Sequence, residues 1–191
     1  MRLAVLMLLL ALPACARAAA PPARIVVADL TGARVAPLGP GPGKATVLVY
    51  ITNDCPIANA CAPEIERIYQ AYSAKQVRMY LVYVDASLTA VAARAHHNAF
   101  GYTCPAVLDP RHRLVKAGRA RVTPEAAIFG GDGSLLYHGR IDDRAVAFGQ
   151  VRAQPIRKDL REALDALLLG KPIKPPKAKA VGCSIANLGH G

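Results

Sequence analysis

Acidic residues are scarce in this chain. Only 13 Asp and Glu stand against 24 Lys and Arg in 191 residues, and the formal net charge is +11. Such an excess can mark a binder of nucleic acid or of anionic membrane. Aromatic residues are scarcer still: there is no Trp, with 3 Phe and 7 Tyr, and they are not interleaved with the basic residues. A nucleic-acid surface would need that interleaving, so the charge reads as a solvated basic face and no nucleic-acid partner is expected. No C-x-x-C-H occurs, which leaves no covalent haem site. None of His96, His97, His112, His138 and His190 stands at helical spacing from a cysteine in a way that demands a metal. No cofactor is expected. There is no internal repeat, and no apolar run is long enough to span a bilayer.

What is present begins with a leader. Arg2 supplies a positive start, Leu3 to Leu12 are uninterrupted apolar residues, and Ala14 to Ala20 are mostly small. That is the layout of a secretory signal peptide over residues 1–20, so the protein is expected in the periplasm or secreted. Two cleavage readings compete. Ala16-Arg17-Ala18 or Ala18-Ala19-Ala20 fits plain cleavage, the favoured reading. Leu12-Pro13-Ala14-Cys15 resembles a lipobox, which would leave a lipid anchor at Cys15.

Residues 21–170 hold one domain, and 171–191 form a basic, Pro-rich tail without periodicity. Strands are expected at Arg24–Asp29, Ala45–Ile51, Val77–Val84, Pro105–Leu108, Ala126–Phe129 and Ser134–Gly139. Helices are expected after residue 55, over 88–99, over 111–117, and where Leu160, Leu164, Leu167 and Leu168 mark one face. Thr52, Asn53 and Asp54 offer N-cap chemistry to the first helix, and Pro63 should kink it. Strands separated by helices require parallel pairing, and the late hairpin adds antiparallel strands. The fold class is α/β, with a mixed sheet between helices on both faces.

Cys55 carries the chemistry. It follows a buried strand and opens a helix, where first-turn N–H groups and the helix dipole favour the thiolate. Pro56 suits the start of that helix. Asp54 opposes the thiolate by like charge, or could accept its proton; both readings stay open. Pro124, at the start of a buried strand, must sit at an edge, a bulge or a cis bond.

Val49-Tyr50-Ile51-Thr52-Asn53-Asp54-Cys55-Pro56, followed by Pro63-Glu64-Ile65, resembles the active-site strand and helix of thioredoxin-like redoxins. Val122-Thr123-Pro124-Glu125-Ala126 resembles the segment with that family's cis-proline, Phe129–Gly139 its hairpin, and Gly101–Pro110 a segment common in the peroxiredoxin branch. The chain is thus similar, over about residues 25–170, to the alkyl hydroperoxide reductase/thiol-specific antioxidant-like superfamily. The resemblance implies a thioredoxin-like three-layer α/β/α sandwich with a mixed central sheet. It also implies that Cys55 is the nucleophile, with Pro124 beside it in a cis bond. Two departures matter. Ala58 stands where a thioredoxin has its second cysteine, so the adjacent dithiol is missing. Thr52 fits the peroxiredoxin position three residues before the nucleophile, but Leu48 replaces the proline expected further upstream.

Three cysteines could resolve Cys55. Cys61 lies six residues along the helix, roughly 9 Å away and beyond the ~7 Å reach of a disulfide, on the apolar face. Cys104 precedes a strand parallel to that of Cys55 and falls at the opposite end of the sheet. Both read as core residues. Cys183 sits on the tail, whose reach of about 40 Å lets it approach Cys55; a free or intermolecular thiol is the other reading. The expected function is a thiol-dependent oxidoreductase, by disulfide exchange or by thiol peroxidase (antioxidant) activity. Its partners would be other exported thiol or disulfide proteins, or a peroxide. The alternatives are a copper chaperone using Cys55, Cys61 and a histidine, and a redox-inert binding domain. Arg140-Ile141-Asp142-Asp143 follows the hairpin and either lines the site or, the favoured reading, forms a solvated turn.

Overall fold

The computed structural model describes residues 25–176 and 178–186. The leader, Cys15, both cleavage readings and His190 lie outside them. Its strands are β1 (Val27–Asp29), β2 (Arg34–Val35), β3 (Ala45–Ile51), β4 (Val77–Tyr83), β5 (Ala106–Leu108), β6 (Val122–Thr123), β7 (Glu125–Gly130), β8 (Leu135–Gly139), β9 (Ala145–Ala147), β10 (Gln150–Val151) and β11 (Cys183–Ser184). The helices are α1 (Pro56–Ser73), α2 (Ala90–Ala99), α3 (Arg113–Gly118) and α4 (Asp159–Leu168). Among the described residues no helix is long and apolar enough to cross a membrane.

The main sheet has seven strands in the order β2-β1-β5-β4-β3-β7-β8. β3, β4 and β5 are parallel, with Ile51 beside Tyr83 and Leu81 beside Ala106. β7 runs antiparallel to β3, with Ala126 beside Val49, and β8 extends it as a hairpin. Each expected strand is present with ends shifted by a few residues. Five short strands had no periodic signal: β2, β6, the β9–β10 hairpin and β11.

β3 is central because every one of its residues is apolar or β-branched, and every one is buried. Its alternation serves two cores. Val47, Val49 and Ile51 face α1 and α4, meeting Ile65, Ile68, Leu160 and Leu164. Leu48 and Tyr50 face the other side, with Leu114 and Val115 of α3. Each such fully buried side chain contributes on the order of 1.5–3 kcal/mol. The Tyr50 hydroxyl also donates to the Leu114 carbonyl at 3.0 Å. Gly118 ends α3 against that hydroxyl, where a Cβ would lie only 1.9 Å from the oxygen.

Of the stretch expected to be an extended tail, residues 171–176 and 178–186 are described; they hold no helix, and parts of them are docked. Ile173 packs on the larger core, and Cys183–Ser184 pairs antiparallel with β6. Arg140–Asp143 departs from its reading as a solvated turn. Ile141 and Asp143 are buried, and Arg140 forms a 2.7 Å ion pair with buried Asp159. Asp143 accepts the N–H groups of Ile156 and Arg157, so the segment is fixed by partners remote in sequence.

Candidate functional site

β3 ends at Ile51, and the chain turns through Thr52–Asp54 before α1 begins. The N-cap is Cys55 itself (φ −77°, ψ 111°), which corrects the expectation that Thr52, Asn53 or Asp54 would cap the helix. Pro56, with φ already set and no N–H to satisfy, occupies the first turn, so the cap falls on the residue before it. The cap atom is sulfur: Ala58 donates its N–H to Cys55 Sγ at 3.4 Å.

A second segment closes on the sulfur from the side. The Thr123–Pro124 bond is cis, as the resemblance implied. The Thr123 carbonyl accepts from the Cys55 thiol at 3.0 Å. Glu125 braces this turn by accepting the N–H groups of Arg121 (2.8 Å) and Val122 (3.4 Å). The Thr52 hydroxyl meets the Thr123 hydroxyl at 3.4 Å, so Thr52 reaches the site through Thr123.

The third segment is the tail. β11 places Cys183 opposite Thr123 and Ser184 opposite Val122. Cys183 stands across from Thr123, the residue whose carbonyl accepts from the Cys55 thiol, so both cysteines flank one backbone position. Cys55, Thr52, Pro124 and Cys183 are thus brought together at one place.

The electrostatics follow from these contacts. Burial of Cys55 pushes its thiol pKa up. The Cys183 thiol, the Ala58 N–H, the Thr123 side chain and the Cys183 N–H more than offset this, and the net position is below that of an ordinary cysteine. Cys183 is pushed up to about 12, by burial first and then by the Cys55 sulfur. Cys61 is also raised to about 12, by burial and by Asp142. Cys104 lies before β5, is fully buried, and burial drives its pKa far up. All four are free thiols.

A polar chain behind α1 had no sequence signal. Asn59 donates Nδ2 to the Asn53 carbonyl at 3.1 Å, which leaves its Oδ1 to accept from His96 Nε2 at 2.9 Å. His96 Nδ1 then accepts from the Tyr83 hydroxyl, also at 2.9 Å. Burial, aided by neighbouring His97, lowers the His96 pKa and keeps the ring neutral near pH 7. The chain ties the turn before Cys55 to the ends of β4 and α2. Beside Pro124 and Cys61, a small crevice is lined by Ile57, Ile141, Asp142 and Val181. Among the described residues no group of three His, Cys, Asp or Glu side chains could hold a metal ion. A copper site built from Cys55, Cys61 and a histidine therefore has no third ligand there.

No family model matches the chain, and no curated protein matches it. Solved structures do. The chain is similar to an uncharacterised conserved protein from Geobacillus kaustophilus at 26% identity, with 87% of this chain and 89% of that chain covered and a TM-score of 0.72. It is similar to a hypothetical protein from Sinorhizobium meliloti at 23% identity, with 88% and 93% covered and a TM-score of 0.74. A secreted Mycobacterium tuberculosis disulfide oxidoreductase, described as homologous to Escherichia coli DsbE, matches at 17% identity, with 77% and 96% covered and a TM-score of 0.53. The fold is therefore that of the thioredoxin-like proteins: a mixed sheet between helices, with the Cys55 turn facing the cis Thr123–Pro124 turn.

Proposed function

We propose that this chain is an exported thiol–disulfide oxidoreductase in which Cys55 is the nucleophile and Cys183 the second thiol. The observation that carries the reading is the pairing of β11 with β6, which sets Cys183 opposite Thr123, the residue whose carbonyl binds the Cys55 thiol at 3.0 Å. The adjacent dithiol missing at position 58 is replaced by one assembled from two distant segments.

The different acidities of the pair order the steps. Cys55, the more acidic thiol, ionises first and attacks one sulfur of a substrate disulfide. That S–S bond breaks, a mixed disulfide forms, and the departing substrate thiolate takes a proton. Cys55 then carries no negative charge, so one cause of the high Cys183 pKa is removed. Cys183 loses its proton and attacks the Cys55 sulfur. The second substrate thiol leaves reduced, and Cys55 and Cys183 remain as a disulfide. An external dithiol reductant returns them to thiols.

Disulfide exchange is favoured over peroxide reduction because the outer side of Cys55 is closed by a strand and the residue is 1% exposed. A polypeptide can displace a strand by offering the same backbone bonds; a peroxide has none to offer. Export is supported by the leader and by the secreted Mycobacterium tuberculosis neighbour. The proposed partners are other exported thiol proteins. The test is turnover of a model protein disulfide with dithiothreitol, combined with peptide mapping of the oxidised protein. A Cys55–Cys183 disulfide and Cys55-dependent turnover are expected. Rapid Cys55-dependent consumption of hydrogen peroxide without disulfide turnover would overturn this reading.

A further inference from the structure

The tail sits on the site as a bound peptide would. β6 is not part of the seven-stranded sheet, and its one described strand partner is β11. Ladder bonding continues past the strand, since Ile185 donates its N–H to the Arg121 carbonyl at 3.0 Å. Three positions of the tail make different demands. At Gly182 a Cβ would lie 2.3 Å from the Thr123 carbonyl oxygen and 2.8 Å from its carbon. These are backbone atoms in the buried turn that touches Cys55, so they cannot give way. Cys183 meets the sulfur. Ile185, 6% exposed, joins the apolar cluster that contains Tyr50, Val84, Leu114 and Ala120. Ser184 between them, opposite Val122 in the ladder, is exposed.

We infer that the edge of β6, with the apolar seat of Ile185, is a register-specific peptide subsite. Its substrates are extended polypeptide segments with glycine immediately before the reacting cysteine and an aliphatic residue two positions after it. The inference rests on Cys55 and Cys183 being the reacting pair. The tail is the tethered occupant, and an incoming segment takes its place by forming the same backbone bonds. Specificity then comes from exclusion at the glycine position, where any side chain meets backbone, and from burial at the aliphatic one.

The test uses the full-length chain with Cys183→Ser, to remove the competing thiol, and Gly182→Val, to lift β11 from its edge. A second protein carries Cys183→Ser with Ile185→Asp, which loosens the same strand without touching the glycine. The probes are three heptapeptides activated as mixed disulfides with 2-nitro-5-thiobenzoate. One has the sequence of residues 180–186, one carries Val for its Gly, and one carries Ser for its Ile. Attack by Cys55 joins its sulfur to the peptide cysteine and releases the coloured aromatic thiolate, which is followed by absorbance. The parent peptide should react about tenfold faster than either variant, a difference of about 1.4 kcal/mol in the barrier. Equal rates for all three, with iodoacetamide still modifying Cys55 rapidly, would overturn the register and leave the redox assignment standing. A Cys55 that reacts with neither the peptides nor iodoacetamide would overturn both.

Discussion

Cys55 and Cys104 are equally buried, at 1% and 0% exposure, yet they are opposite kinds of thiol. Cys104 sits before β5, and burial raises its pKa far above the ordinary value. Both thiols donate to a carbonyl, Cys104 to Pro105 at 3.6 Å and Cys55 to Thr123 at 3.0 Å, so that bond does not separate them. Cys55 bears a burial penalty too, but a helix N-terminus, the Thr123 side chain and the Cys183 thiol and N–H outweigh it. Burial alone therefore does not make a cysteine inert. Donors aimed at the sulfur can outweigh the desolvation.

The comparison can be broken most directly by exchanging each sulfur for oxygen. Cys55→Ser is expected to abolish disulfide turnover, and Cys104→Ser to leave it in place. Activity surviving in the first variant, or lost from a folded second one, would end the distinction. Cys104→Ser instead buries a hydroxyl among apolar groups and should cost about 1–3 kcal/mol, read as a lower urea midpoint.

Removing a donor should sharpen the contrast. With Cys183→Ala the Cys55 sulfur loses a thiol donor, so its alkylation profile should move to higher pH. In the wild type, reactivity should rise at a pH below that of an ordinary cysteine. Iodoacetamide rates across pH measure both. At pH 7 the variant should react several-fold more slowly, since one pKa unit is tenfold in thiolate. An unchanged profile would show that the helix terminus suffices without the tail.

The smallest effect concerns the position of α1. Glu64 bridges Arg161 of α4 at 2.6 Å and Arg67 at 2.9 Å. Burial raises the Glu64 pKa, but the two arginines outweigh it and leave it lowered. A carboxylate with a depressed folded pKa contributes its stability above the unfolded pKa and loses it as pH falls through the folded one. Glu64→Gln should thus cost about 1 kcal/mol at neutral pH, with the gap to wild type closing on acidification. The Cys55 alkylation profile should stay where it is; a shift would mean that the clamp also sets the geometry of the site.

Much of this was legible in the residues. The apolar run of β3 and the 3.6-residue period of α1 and α4 are local signals, and they placed Cys55 at a strand-to-helix turn. Thr123-Pro124 was likewise legible from its place before a strand, together with the resemblance. β2, β6, β11 and the β9–β10 hairpin were not, because ladders of two or three residues have no period to detect. The cap was misread because Thr52–Asp54 have good cap chemistry, whereas the first turn is positioned by Pro56. Arg140–Asp143 looked solvated because Asp159, Ile156 and Arg157, its partners, come later in the chain.

By itself the sequence determined the order of the longer elements and the residue that opens α1, since hydrogen-bonding propensity and hydrophobic period act over a few neighbouring residues. Only the tertiary structure decided that Cys183 meets Cys55. That approach depends on the pairing of residues 183–184 with the edge of β6 and on a glycine at position 182 that lets two backbones touch. Neither is encoded by a local pattern, because strand pairing between distant segments is set by which edge remains free once the rest of the chain has packed.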